Sequence, residues 1–269
     1  MDKSCPVCPE SKFNRILVEN IKSTTVITFN IPENGNRLDL LACQEIMAAM
    51  EEANANPLIR SIILTGAGDV FCLGGKIDGF PVGYAMDQKE YSDGMVEMLK
   101  AIYKSRKPVI AAVNGNAFAG GFMMTECCDL AIAADNAEFC LTELVATGNY
   151  PMIALAVNGK SVPKKRLFEI ILTGKPVTAR LAESWNLINC VVPAEQVLNK
   201  ALEYGDVIAS RSAVAVMIGR QTYYEMAELT PSAALAYSKP ALLSLLAMDD
   251  VKEGALAVKE GRAPNYIGK

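Results

Sequence analysis

The sequence predicts an α/β protein built from repeated β-β-α units and closed by a helical C-terminal region. Three features carry this. Short, β-branched, uncharged runs such as Val109–Val113 have the composition of strands buried on both faces. Such runs alternate with helical patterns up to about Val192. From Glu195 to about Gly254 the pattern is almost wholly helical. The chain of 269 residues suits one large domain or a domain with a small appendage, and at 51% hydrophobic it can fill a sizeable core.

In order, Ile16–Ile21 and Thr24–Ile31 read as strands split by a turn at Lys22 and Ser23. The stretch from Pro32 to Gly35 breaks the pattern. Asp39 is placed to cap a helix whose Leu40, Leu41, Ile46, Met47 and Met50 share a face. Ile59–Leu64 is the next strand, and residues 74–86 read as a loop. A helix from Gln88 to Tyr103 follows, with Met95, Met98, Leu99 and Ile102 at helical spacing as core or pocket wall. After strand Val109–Val113, Gly115, Gly120 and Gly121 allow close backbone approach, and a helix opening at Gly120 aims free N–H groups at the space before it. That suits an anion, or an oxygen that becomes one. Leu130–Ala134 and Glu138–Leu141 read as strands. Helices start at Pro163 and after Thr178, and Asn189–Val192 ends the sheet-forming part. Helices at Val197–Ser210, Ala213–Glu228 and Pro231–Met248 complete the tail. The expected division is a disordered tail over 1–12, a core over 13–200 and a helical region over 201–269.

Composition removes several functions. The net charge of −4 gives no footprint for nucleic acid. No apolar run approaches the roughly 18 residues of a membrane span. The N-terminus lacks a basic-then-apolar export pattern, so a cytoplasmic location is expected, with the eight cysteines reduced. The isolated Cys5-Pro6-Val7-Cys8 reads as tail. There is no histidine, which excludes Ser-His-Asp and Cys-His catalysis and any histidine metal site. Acid–base chemistry falls to carboxylates, Lys, Tyr or Cys.

Three ordered motifs carry a family resemblance. Val113-Asn114-Gly115 is followed by Ala119-Gly120-Gly121 and then Cys128-Asp129; Leu64-Thr65-Gly66 leads to Phe71-Cys72-Leu73-Gly74-Gly75-Lys76-Ile77; Leu172-Thr173-Gly174 leads to Val191-Val192-Pro193. Together, from about Ile16 to Tyr266, they resemble the crotonase superfamily, the enoyl-CoA hydratases and isomerases. The resemblance implies the ClpP/crotonase-like fold, an acyl-CoA substrate, no separate cofactor, and a homotrimer or homohexamer. It implies an oxyanion hole from the amides of Gly75 and Gly120. Leu73, Lys76, Ile77, Met123 and Arg262 become the substrate- and CoA-binding candidates.

The carboxylates narrow the reaction. Hydratases of the family carry two glutamates. The first position holds Met123 here; the second, in a Phe-x-x-x-Glu context, matches Glu143. Counting backward from Gly148 and Pro151 puts that glutamate at Leu144, which a one-residue insertion reconciles. One remaining base suits double-bond isomerisation of the Δ3,Δ2 type, with Glu143 taking and returning the proton. The alternatives are hydration, with Glu126 one turn beyond Met123 covering for the missing acid, or decarboxylation of a CoA or carrier-protein thioester. For Glu126 itself a solvent-facing or salt-bridged position is expected. A non-catalytic acyl-CoA binding or scaffold protein is the reading from outside enzymology.

Overall fold

The computed structural model describes residues 12–76 and 88–268. Apart from Lys12, the expected tail lies outside the described residues, as does most of the 74–86 loop.

The chain makes two sheets. β1 (Ile16–Ile21), β2 (Thr24–Phe29), β3 (Ser61–Gly66), β5 (Val109–Val113), β7 (Leu130–Ala134) and β10 (Cys190–Val192) form the larger, in that order. Only the β1–β2 hairpin is antiparallel; the other pairs are parallel. The smaller sheet has the order β4 (Val70–Cys72), β6 (Asn116–Phe118), β8 (Glu138–Cys140) and β9 (Val177–Thr178). The β-β-α repeat is thus real, and it distributes itself between the sheets. β3, β5 and β7 lie side by side in the large sheet, and the short strand after each, β4, β6 and β8, lies side by side in the small one.

Burial explains the sequence pattern. Every residue of β3 and β5 is buried, so neither strand shows polar alternation. α1 (Leu40–Ala55) opens at Asp39, whose side chain accepts from Ala42 N at 2.8 Å. α2 (Lys89–Tyr103) buries Met95, Met98, Leu99 and Ile102. Then come α3 (Gly120–Cys127), α4 (Glu143–Thr147), α5 (Met152–Ser161), α6 (Lys164–Thr173) and α7 (Ala179–Ser184).

The Asn114-Gly115 pair aligns the repeats. Asn114 Oδ1 accepts from Gly66 N at 3.0 Å, and its amide donates to Gly68 O at 2.9 Å. A Cβ on Gly115 would stand 1.9 Å from Asp69 O. The turn after β5 is therefore locked against the β3–β4 turn, which fixes β6 beside β4.

The division expected at residue 200 falls inside α8 (Val197–Ala209), which packs on β2, β3, β5 and β7 through Val197, Ala201 and Gly205. The part that leaves the sheet begins with α9 (Ala213–Met226) and α10 (Pro231–Leu246), which pack on each other. α11 (Asp249–Glu260) runs past the expected end near Gly254, where a Cβ would stand 3.2 Å from Tyr266 Oη, and Gly261 caps it in the left-handed region. α9 is pinned to the core by Arg220. Its Nε donates to Asp129 Oδ2 at 2.8 Å and its Nη2 to Ile102 O at 3.2 Å, while Tyr224 OH donates to Asp129 Oδ1 at 2.7 Å. None of α10 is buried, and Leu235, Leu242, Leu243 and Leu246 are exposed. No helix among the described residues is long and apolar enough to cross a membrane.

Candidate active site

β4, β6 and β8 are adjacent and parallel, so their C-terminal ends emerge together, at strand spacings of about 4.8 Å. β4 ends at Cys72 and leads to Gly75. β6 ends at Phe118 and leads to Gly120. β8 ends at Cys140 and leads to Glu143. The small sheet brings the two motif glycines and the carboxylate to one edge, with the Gly120 loop in the middle.

The glycine loops touch. Gly74 has φ +92°, and a Cβ there would lie 2.7 Å from Ala119 Cβ and 3.3 Å from Gly120 N. Ala119 itself has φ 47° and ψ −116°, a strained conformation immediately before α3. Its N–H donates to Cys140 O at 2.8 Å, which ties the start of α3 to the strand that leads to Glu143. A Cβ on Gly121 would stand 2.2 Å from Cys72 O, so that glycine lets α3 sit against β4.

Neither the Gly75 N–H nor the Gly120 N–H has a backbone acceptor among the described residues. Gly75 bridges Leu38, but the bonds run from Leu38 N to Gly74 O at 2.9 Å and from Lys76 N to Leu38 O at 2.8 Å, and neither uses the Gly75 N–H. Arg37 holds the loop from behind, donating to Leu73 O at 2.8 Å. Gly120 is the first residue of α3, so its N–H has no carbonyl four residues back in that helix. Such donors at a helix start can stabilise an oxygen that gains charge.

Glu143 opens α4. Its Oε2 is buried without a hydrogen-bond partner among the described residues, and burial raises its pKa against the opposing pull of its own backbone N–H. Leu144, the other position offered by the spacing, packs on the apolar core. Met123 is 6% exposed, between the fully buried Phe122 and Met124. The position that the resemblance gives to the first hydratase glutamate therefore lies in apolar surroundings. Cys72 is buried and its thiol is pushed up to about 12, which rules it out as a thiolate nucleophile near neutral pH.

The remaining candidates separate. Leu73 turns toward Gly35, where a Cβ would meet its Cδ1 at 2.5 Å. Lys76 is exposed, and Ile77 lies outside the described residues. Arg262 lies next to α11, with its guanidinium on Glu253 at 2.6 and 2.9 Å and on Glu260 at 2.6 Å. Each of its three guanidinium nitrogens thus donates to a carboxylate oxygen. Glu126, expected to face solvent or a salt bridge, makes no salt bridge among the described residues. Its Oε2 accepts from the Ser161 hydroxyl, its Oε1 is buried without a partner among the described residues, and burial pushes its pKa up to about 7. It lines a cleft of about 2410 Å³ between α2, α3, α5 and α9, whose walls include Ser161 and Tyr224 but neither motif glycine nor Glu143.

Sequence reasoning gave α2 only a general role. A Cβ on Gly75 would stand 2.3 Å from Tyr91 Oη, and one on Gly120 would stand 3.3 Å from Met95 Cε. Met95 was visible as part of an apolar helix face; Tyr91 gave no signal, since nothing in a sequence pairs it with Gly75.

Comparison with known proteins agrees with this architecture. Residues 19–269 match the family model described as Enoyl-CoA hydratase/isomerase. An enoyl-CoA hydratase of Mycobacterium tuberculosis, EchA19, is 32% identical over 254 residues, covering 93% of this chain and 95% of that protein. The carnitinyl-CoA dehydratase of Proteus mirabilis is 30% identical over 242 residues, 87% of this chain and 91% of that one. The crystal structure of an enoyl-CoA hydratase from Bacillus anthracis superposes with a TM-score of 0.90 at 27% identity, covering 95% of this chain and all of that one. A strand-end pair of glycine amides, a half-buried glutamate and these likenesses lead to one assignment: the chain belongs to the enoyl-CoA hydratase/isomerase family and is an acyl-CoA enzyme of the crotonase superfamily.

Proposed function

We propose that this enzyme shifts the double bond of an enoyl-CoA between the 3 and 2 positions. The thioester oxygen sits between the Gly75 and Gly120 amides, which stabilise the enolate formed when a proton leaves the α-carbon. Glu143 takes that proton and returns it at the γ-carbon. No water takes part, and the proton count is conserved. The observation that carries the reading is the pairing of Glu143, half-buried with raised pKa, with an apolar Met123 at the other carboxylate position. Desolvation suits Glu143 to passing a proton near neutral pH. Preorganised donors in a site shielded from water are worth about 10²–10³-fold each.

Hydration is the second reading, favoured by the relatives, which are named hydratases and a dehydratase. It needs a second group to orient water. Glu126 is offered by sequence, but it is engaged by Ser161 on a cleft that the glycine pair does not line. Incubating the protein separately with 3-enoyl-CoA and 2-enoyl-CoA decides between them. Conversion of the 3-enoyl substrate to the 2-enoyl product without hydroxyacyl-CoA supports isomerisation. Rapid hydration of 2-enoyl-CoA with the 3-enoyl substrate untouched overturns it.

The assembly belongs to the same proposal: a homotrimer or a pair of trimers, supported by the exposed leucines of α10. A monomer mass in light scattering at micromolar concentration contradicts it.

A further inference from the structure

Neither Gly75 nor Gly120 has the left-handed φ that by itself demands glycine. Another cause keeps their side-chain space empty, and at both positions it is α2. Tyr91 and Met95 stand four residues apart, on one face of the helix. The Tyr91 hydroxyl fills the place of a Cβ on Gly75, with Oη at 2.3 Å and Cζ at 3.1 Å. The Met95 thioether rests on Gly120, with Cε at 3.3 Å and Sδ at 3.7 Å from the place of its Cβ. One helix face thus backs both amides of the glycine pair. The Tyr91 hydroxyl is a rigid, buried contact, and burial raises its pKa so the phenol stays neutral. The Met95 methyl is the end of a flexible chain that can yield.

We propose that α2 gauges the substrate next to the held carbonyl: Tyr91 is a positioning residue for the Gly75 amide, and Met95 is the specificity-determining residue that limits bulk at the α-carbon. This rests on the oxyanion-hole reading above. A thioester oxygen on the two amides places the α-carbon in contact range of the side chain that abuts Gly120. A substituent there must displace the Met95 methyl, whereas a longer straight chain need not. Tyr91 acts through the peptide it presses on, and a donor out of line loses part of its effect even though the N–H remains.

The experiment has two readouts. The first is the carbonyl stretching frequency of a bound saturated acyl-CoA, lowered when donors hold the oxygen. The second is the ratio of kcat/KM for a 2-methyl-branched over a straight-chain enoyl-CoA of equal length. Tyr91→Phe is expected to lose part of the lowering and about tenfold in kcat with KM little changed, as misplacement of a preorganised donor does. Met95→Ala is expected to raise the branched-to-straight ratio about tenfold or more, the worth of room for one carbon. Met95→Leu keeps the volume and with it the wild-type ratio. No lowering of the frequency by the wild-type protein overturns the oxyanion reading and this inference with it. Lowering in the wild type that Tyr91→Phe leaves intact overturns the role of Tyr91 alone. An unchanged ratio in Met95→Ala overturns the role of Met95 alone.

Discussion

Replacing Met123 with glutamate puts a carboxyl where the resemblance to the family's hydratases implies one and tests the proposed reason for isomerisation over hydration. The side chains are similar in length, so the change is chiefly one of polarity. At 6% exposure between Phe122 and Met124, residue 123 offers no solvent to a carboxylate. Burying even the neutral acid costs about 1–3 kcal/mol. If desolvation raises its pKa by about 2 units, ionisation costs about 2.7 kcal/mol more. A carboxyl whose folded pKa is raised favours the folded state below its unfolded pKa of about 4.3 and loses that contribution as pH rises to the folded value. Thermal unfolding of Met123→Glu is thus expected to show a deficit that grows from pH 5 to pH 8, unlike that of Met123→Gln. The activity assay is loss of 2-enoyl-CoA with formation of 3-hydroxyacyl-CoA. A positioned acid–base group contributes about 10²–10⁴-fold, so a gain of about 10² in hydration is expected at pH values where both carboxyls can share protons. Met123→Gln, equal in shape but unable to exchange a proton, gains nothing. If folded Met123→Glu hydrates no faster than the parent, or Met123→Gln gains as much, the absence of a second carboxylate is not what limits hydration and the reasoning fails.

Glu143→Gln keeps the shape and removes the proton acceptor; turnover should fall about 10²-fold or more with acyl-CoA binding retained, and unchanged turnover removes Glu143 as base. Because burial raises the pKa of Glu143, the acid limb of kcat/KM is expected above the ordinary glutamate range, with activity rising as pH passes through that raised value. A limb at about pH 4.3 would contradict the burial. Arg220→Ala removes the 7%-exposed partner of Asp129 and is expected to destabilise by about 3 kcal/mol in denaturant unfolding, because among the described residues the carboxylate then keeps its bonds from Val109 N and Tyr224 OH but no cation. Glu126→Gln keeps the Ser161 contact; isomerisation within about twofold of the parent is expected, whereas a hundredfold loss in product formation would bring Glu126 into the chemistry.

What the sequence showed and what it hid follow from the range of the forces involved. Strand composition is local, so β5 was legible from Val109–Val113 alone, and so was the helix start at Gly120. The C-terminal part was legible as helices but not as a separate piece. Both α8, which covers the sheet, and α10, which packs on α9 and α11 without burying a residue, are apolar helices in the sequence. Only the packing partner distinguishes them. Glu126 shows the same limit. A glutamate on a helix reads as solvent-facing until the neighbouring helix supplies Ser161 and buries one oxygen.

The glycine pair shows where motif reading stops. Gly74, Gly75, Gly120 and Gly121 look alike in a sequence, yet they are glycine for three different reasons. Gly74 needs its φ of +92° and also the room that Ala119 fills, and Gly121 yields to the carbonyl of Cys72. Gly75 and Gly120 use an ordinary backbone and yield to side chains from another helix. A turn glycine is answerable to its own dihedral angles, so a substitution there strains the loop whatever stands nearby. A glycine emptied by a neighbour is answerable to that neighbour. The consequence is specific to this chain. Gly75→Ala meets the Tyr91 phenol, so its effect should shrink when Tyr91 is cut to alanine in the same protein, while Gly74→Ala should gain nothing from that change. Additive losses for Gly75→Ala and Tyr91→Ala would mean that the contact between them plays no part in holding the amide.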